Sequence, residues 1–439
     1  MNRRAFARAI AVACLMFASA AFAFAAGSGE TEQGGSGAQT QDSEQPVSVL
    51  TSMGGSLLEA FEAVLNDFSE KSGYEVQLES VDDVSTLLVT RAEAGNLPDV
   101  VQLAKPGQME EFVNRGDVIA LDESIVEDHP QGFVELGTVN DQLHGVFMDA
   151  SLKSLIWYNP KVFEEKGYSI PESWDELMAL TEKMANNGDT PWALGLESGS
   201  ASGWPGTDWL EEIIIRMHGP EFYDRWVNHE IPWTDPRIKE AWQMFGEIFK
   251  SESYVFGGPQ TIVSLAWNDA PNYLFGDSPK AHMYKQGTFV QGFIQDNNPD
   301  VVGGEDYSVF PVPPINEEHG NPMVGAGDIA FGFTDRPAVR DLLAYLASAE
   351  AQRVFAETGQ GLAVNKNVSL EAYPDPINAR AAEILRESST FRFDGSDLMP
   401  AAVGAGTFWT GMMDYFSGTD LDTVLQNIEK SAQRAYEEE

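Results

Sequence analysis

Trp204-Pro205-Gly206-Thr207-Asp208-Trp209 sets two indoles and a carboxylate within six residues, behind a run of small residues from Ser198 to Gly203. Flat apolar rings interleaved with short polar groups suit a polyhydroxylated ligand. A sugar ring offers C–H faces that stack on aromatics and hydroxyls that both donate and accept hydrogen bonds. Trp204 and Trp209 are therefore expected to stack, with Asp208 taking hydroxyl hydrogens. The competing reading is a core tryptophan pair in a tight turn, with Trp209 starting a helix and facing inward. A second cluster is Asp394 and Asp397, flanking a turn before Met399-Pro400. One of them is expected to accept hydroxyl hydrogen bonds, the alternative being a cap on its own turn. The third is Gly325-Ala326-Gly327-Asp328. It completes no dinucleotide fingerprint, and strand residues follow it where a helix should. Gly327 reads as a point of close backbone approach to ligand, with Asp328 as a polar contact.

Catalytic chemistry has less support. There is no G-x-S-x-G, no H-E-x-x-H and no cysteine nucleophile. Glu211-Glu212 is an adjacent acidic pair, and neighbours on a helix do not converge on one point. The six histidines are scattered, so no metal site is expected. No catalytic residue and no cofactor is assigned. A secreted glycosidase is still a rival, because such enzymes also use tryptophans and paired carboxylates. So is a non-transport surface carbohydrate-binding or adhesive protein, which would not need a cleft.

The elements that must position these residues alternate. Val47 to Met53 is a β-rich run ended by Gly54-Gly55. Leu57, Leu58, Phe61, Val64, Leu65 and Phe68 then recur at helical spacing as far as Gly73. Tyr74 to Val81 reads as a strand, Thr86 to Ala94 as a helix and Asp99 to Leu103 as a short buried strand. That β-α-β-α-β order implies an α/β fold with a parallel sheet and right-handed crossovers. Ligands of such sheets sit beyond the carboxyl ends of the strands, here Ser52 to Gly55 and Gln102 to Pro106. Further helices are expected over Trp209 to Met217, Pro236 to Lys250, Ala405 to Phe416 and Leu421 to Tyr436, and one strand over Val324 to Phe333.

A basic start (Arg3, Arg4, Arg8), an apolar run from Ala9 and A-x-A exits near Ala25 form a secretory signal peptide over residues 1–26. Residues 27–46 are a polar tether. The one cysteine, Cys14, lies inside the apolar run behind a poor lipobox, so cleavage without lipidation is expected, leaving no thiol for disulfides or metal. The remaining chain of roughly 400 residues exceeds one core, so two lobes are expected. There are 68 acids against 27 basic residues, a net charge of −41. That excess repels nucleic acid and anionic membrane, and it suggests adaptation to a saline or alkaline medium.

LVTRAEAGNLPDVVQLA (Leu88 to Ala104) resembles the helix-to-strand segment entering the ligand cleft in family 1 extracellular solute-binding proteins. GVFMDASLKSLIWYNPKVFEEKGY (Gly145 to Tyr168), followed by Pro171 to Leu177, resembles that family's crossover between lobes. Ser198 to Arg216, Trp226 to Trp242 and FRFDGSDLMPAAVGAGTFWTGM (Phe391 to Met412) resemble its α-glucoside-binding members. The resemblance implies a two-lobed class II periplasmic-binding-protein fold. One lobe would be residues 47–150 with 325–367, the other residues 151–324 with 368–439. It also implies an exported, monomeric binding component of an ABC importer. That component would capture a small carbohydrate such as maltose, trehalose or sucrose by hinge closure, then deliver it to permease subunits and their ATPase. It carries over Trp409, second of the aromatic pair Phe408-Trp409, as the stacking ring, and Phe289 as a smaller ring where relatives have tryptophan. Gln102, Lys105 and Ser151 are carried over as polar contacts, and Leu103 and Pro106 depart from the pattern.

Overall fold

The computed structural model describes residues 45–81, 83–276, 278–388 and 390–438. The expected signal peptide, Cys14 and nearly all of the tether lie outside the described residues.

Beside a two-stranded antiparallel ribbon of β4 (Thr138–Val139) and β5 (Gln142–Leu143), three larger sheets organise the chain. In the first, β1 (Val47–Thr51), β2 (Val76–Ser80) and β3 (Val100–Leu103) are parallel, and β6 (Gly145–Phe147) and β12 (Ile329–Gly332) complete the order β2-β1-β3-β12-β6. Val49 stands opposite Val100, and β12 runs antiparallel to β3. Every residue of β3 and β12 is buried, as expected for central strands covered on both faces. The Gly55–Ser72 helix packs its Phe61, Val64, Leu65 and Phe68 stripe on this sheet. Gly73 ends it at φ +79, where only a residue without Cβ sits at ease.

A second, three-stranded sheet has the order β10-β8-β9, from Ser308–Pro311, Leu155–Tyr158 and Met283–Lys285. Around it gather the Trp204–His218, Pro236–Phe249, Trp409–Phe416 and Leu421–Glu438 helices. The Trp204–His218 helix is buried from Pro205 through Arg216, so its polar side chains need partners inside the fold.

Between the two lies a four-stranded sheet, β13-β7-β11-β14, from Leu362–Ala363, Asp149–Leu152, Met323–Ala326 and Phe391–Phe393. Its strands lead directly into both lobes. β7 joins β6 of the first sheet to β8 of the second, and β11 leads into β12. This is the two-lobed, class II periplasmic-binding-protein architecture. The single strand expected over Val324 to Phe333 is two strands in different sheets, broken at Gly327-Asp328. The helix expected from Ala405 is preceded by a π-helical stretch, Ala402–Phe408.

Besides the central sheet and the packing of Phe133 on Phe391 at 4.7 Å, the lobes approach each other on two sides. A β-carbon at Gly107, in the first lobe, would stand 3.8 Å from the Asp397 carbonyl oxygen in the second. On the other side, the Ser56 hydroxyl donates to Gln360 at 3.0 Å, and Gly292 of the second lobe faces both.

Candidate functional site

The candidate residues lie on both lobes, and across the boundary the Lys105 ammonium acts on the Asp397 carboxyl. In the second lobe, half-buried rings form a wall. Trp204 packs edge-on to Trp267 at 5.1 Å and lies 5.9 Å from Phe289; Trp267 lies 4.9 Å from Phe293. Gly203, at φ +112, lets the start of the Trp204 helix press on the backbone of Trp409, since a β-carbon there would overlap the Trp409 carbonyl oxygen.

Phe408 and Trp409 stand where the π-helical stretch passes into an α-helix, and as helical neighbours they point about 100° apart. Phe408 goes wholly into the core, edge-on to Trp226 and Trp233, while Trp409 stays half-buried with its Nε1–H enclosed and unpartnered. Such π-helical turns recur at functional sites.

Beneath the wall lies a buried charge network. Lys153 donates to Asp208 at 3.2 Å and forms an ion pair with Asp394, and its ammonium stands 5.5 Å from the Trp204 ring centre. Burial alone would depress the Lys153 ammonium, but Asp208, Asp394 and Asp397 together hold it well above its usual range. Asp394 is held well below the carboxylate range: burial opposes its ionisation, and Lys153 more than offsets it. Asp208 is pushed up to about 7 by burial, only partly relieved by Lys153, and the neighbouring Asp394, to which it hydrogen-bonds, pushes it the same way. Asp397 is pushed up to about 8 by burial and by the neighbouring Asp394. Deeper in, Glu212 accepts the Ser154 hydroxyl at 2.7 Å and pairs with Arg216, and Ser154 also receives the Val324 amide.

The first lobe and the crossovers carry the remaining candidate residues. Gln102 is fully buried at the end of β3 and accepts the Thr51 hydroxyl at 2.6 Å, leaving its Nε2 unpartnered. Lys105 is half-buried at the start of the Pro106–Asn114 helix, whose first turn has no side-chain cap and no acid. Ser52 is exposed beyond β1, and Ser151 is half-buried in β7. Asp328 donates its amide to Asp149 at 3.3 Å. Burial pushes Asp328 up to about 6, and burial together with the Asp328 charge raises Asp149 well above its usual range.

Two sequence expectations are corrected. Trp209 is fully buried, edge-on to Trp192 and Phe249, so it is a core residue and offers no face to a ligand. Gly327 is buried against the chain itself. A β-carbon there would overlap the Asp149 carbonyl oxygen and press on Phe147, so the glycine serves strand-to-strand approach at the crossover. Sequence reasoning missed Asp149, Lys153, Trp267 and Phe293, and it dismissed Glu211 and Glu212. The signal for the two glutamates was present: Asp208, Glu211 and Glu212 repeat at i, i+3, i+4 among the apolar residues Trp209, Leu210 and Ile213 to Ile215.

The pattern of bacterial extracellular solute-binding proteins matches residues 54–353. The chain belongs to this family. Its sequence is 40% identical over 402 residues to the osmoprotective compounds-binding protein GgtB of Synechocystis sp., spanning 90% of this chain and 94% of that one. It is 36% identical over 384 residues to the alpha-glucosides-binding periplasmic protein AglE of Rhizobium meliloti, spanning 84% and 83%. Its fold matches the bacterial solute receptor AcbH, described as having an exclusive preference for β-D-galactopyranose, with a TM-score of 0.75. That match covers 89% of this chain and 100% of the other at 19% identity, which speaks to fold alone. The protein is thus the exported sugar-binding component of an ABC importer. Among the described residues, no helix is long and apolar enough to cross a membrane, and no group of three or more His, Cys, Asp or Glu could hold a metal ion.

Proposed function

We propose that the ligand is a compact α-glucoside that doubles as an osmoprotectant, with trehalose and sucrose the simplest examples and maltose a close analogue. The observation that carries the reading is the half-buried aromatic group of Trp204, Trp267 and Phe289 beside a buried charge network, with the Lys153 ammonium 5.5 Å from the Trp204 ring centre. Nearby, Trp409 Nε1 and Gln102 Nε2 are enclosed without partners. A buried polar group left unmade costs about 1–3 kcal/mol, so a ligand rich in hydroxyls is the natural completion. The names of the two relatives, one for osmoprotective compounds and one for α-glucosides, overlap on that class. The acidic composition agrees with a medium in which such solutes matter.

In this reading Trp204, Phe289 and Trp409 stack on the sugar, with Asp397, Asp328, Lys105, Ser151 and Ser52 at the polar rim. Asp208 and Asp394 act from below through Lys153. The lobes are residues 47–150 with 325–367 and residues 151–324 with 368–439. They close over one sugar about the central sheet, as a monomer without catalysis or lipid at Cys14. Calorimetry with trehalose, sucrose, maltose and glucose tests it. A disaccharide should bind at about micromolar Kd, near 8 kcal/mol, and glucose more weakly. Saturable binding confined to non-sugars, or release of glucose from any of these disaccharides, would overturn it.

A further inference from the structure

Asp397 reaches the lobe boundary on a short turn, Asp394 to Leu398, and every amide of that turn up to Asp397 has an assigned acceptor. The Asp394 amide donates to the Gly325 carbonyl at 2.8 Å, and the Asp397 amide to Asp394 Oδ1 at 3.2 Å. The two amides between them, of Gly395 and Ser396, donate at 2.8 and 3.1 Å to Glu211. Glu211 is fully buried on the Trp204–His218 helix and has no access to the cleft. Its third donor is the Tyr223 hydroxyl at 2.8 Å, whose single hydrogen is shared with the Phe393 carbonyl oxygen at 3.0 Å. From below, Gly404 of the π-helical stretch abuts the same turn, where a β-carbon would overlap the Ser396 carbonyl oxygen.

Although burial and the nearby Asp394 and Asp208 push Glu211 well above the usual carboxylate range, three donors converge on its buried carboxyl group and form a rigid anchor by their geometry. Its cost has already been met in the fold, so the ligand need not order the turn when it binds. We propose that Glu211 is a positioning residue for ligand binding: by holding the Gly395 and Ser396 amides it presets the Asp397 carboxylate at the cleft, and affinity depends on an acid the ligand never touches. The proposal rests on the reading above that Asp397 contacts the ligand. A glutamine at 211 keeps the shape but offers one acceptor oxygen, and it turns an NH2 toward an amide that needs an acceptor.

A double-mutant cycle in the full protein tests this by calorimetry, with trehalose, sucrose and maltose as probes. Glu211→Gln alone should weaken binding by about tenfold, the equivalent of about 1.4 kcal/mol. Asp397→Asn should weaken it at least as much. In the Asp397→Asn background, Glu211→Gln should add less than about twofold, because the group it positions is gone. Exchange of the Gly395 and Ser396 amides in the ligand-free protein should quicken. Should Glu211→Gln fold poorly, Glu211→Asp keeps the carboxyl group but withdraws its reach, and the same cycle applies.

Equal losses in both backgrounds would show a merely structural role and overturn the proposal, as would wild-type affinity in the Glu211 variant. Wild-type affinity in Asp397→Asn would overturn the Asp397 contact itself and the proposal with it. Loss of binding in Trp409→Ala would then show that the sugar site survives without either.

Discussion

Replacing Trp409 by alanine removes two separable contributions. The first is the stacked indole face, worth about 0.5–1.5 kcal/mol for an aromatic contact beyond its area. The second is the Nε1–H, enclosed and without a protein partner, so that a ligand oxygen would complete it. A neutral hydrogen bond of this kind contributes about 0.5–1.5 kcal/mol net. Together they amount to about 1–3 kcal/mol, a loss of roughly 5- to 150-fold in affinity. Trp409→Phe keeps a ring and loses the donor, so it should fall between wild type and alanine. Titration calorimetry reads the affinities, and thermal unfolding checks that each variant is folded. Trp209→Ala is the control: it hollows a closed core and should cost about 3–5 kcal/mol of stability, while the folded fraction still binds. Folded Trp409→Ala binding within about twofold of wild type would remove Trp409 from the site. Selective loss of affinity in folded Trp209→Ala would refute its placement in the core.

The remaining predictions use charge and close packing. Asp397, held up to about 8 in the free protein, is mostly protonated at neutral pH. A sugar hydroxyl donating to its anion lowers that value, so binding should release a proton at pH 7, and affinity should rise with pH until about 8. Calorimetry in buffers of different ionisation heat measures the proton, and uptake in place of release would contradict the assignment. The same raised carboxyl penalises the fold as pH climbs from the unfolded value near 4 to about 8, so Asp397→Asn should gain stability relative to wild type across that window. With 68 acids against 27 basic residues, self-repulsion should be relieved by salt. The Tm should therefore rise toward molar NaCl, and greatest stability in dilute neutral buffer would refute adaptation to a saline medium. Gly203→Ala, forced to φ +112 and against the Trp409 carbonyl, should cost at least about 1 kcal/mol of stability and weaken sugar binding; unchanged values for both would show that the approach is not needed.

The sequence by itself determined the fold class, because the information is local and periodic. The stripe from Leu57 to Phe68, the apolar runs of β1 and β3 and the stop at Gly73 are legible to anyone who knows what each element must bury. Family motifs placed Trp204, Trp409 and the Asp394–Asp397 turn among the residues worth testing. What sequence could not decide was which way a side chain points. Trp204 and Trp209 are five residues apart on one helix. One joins a half-buried aromatic wall and the other disappears between Trp192 and Phe249. Phe408 and Trp409 are adjacent and point about 100° apart on a helical backbone, and only the packing of that helix in the fold decides that Phe408 is buried while Trp409 stays half-buried. Likewise Gly327 looked like a seat for ligand and proved to be the place where two crossover strands touch. Lys153, Asp208, Glu211 and Asp394 come from three distant stretches of chain and meet only when the crossover strand, the Trp204–His218 helix and the last turn before Met399 are packed together. Burial sets the protonation of such groups, and burial is a property of the assembled fold.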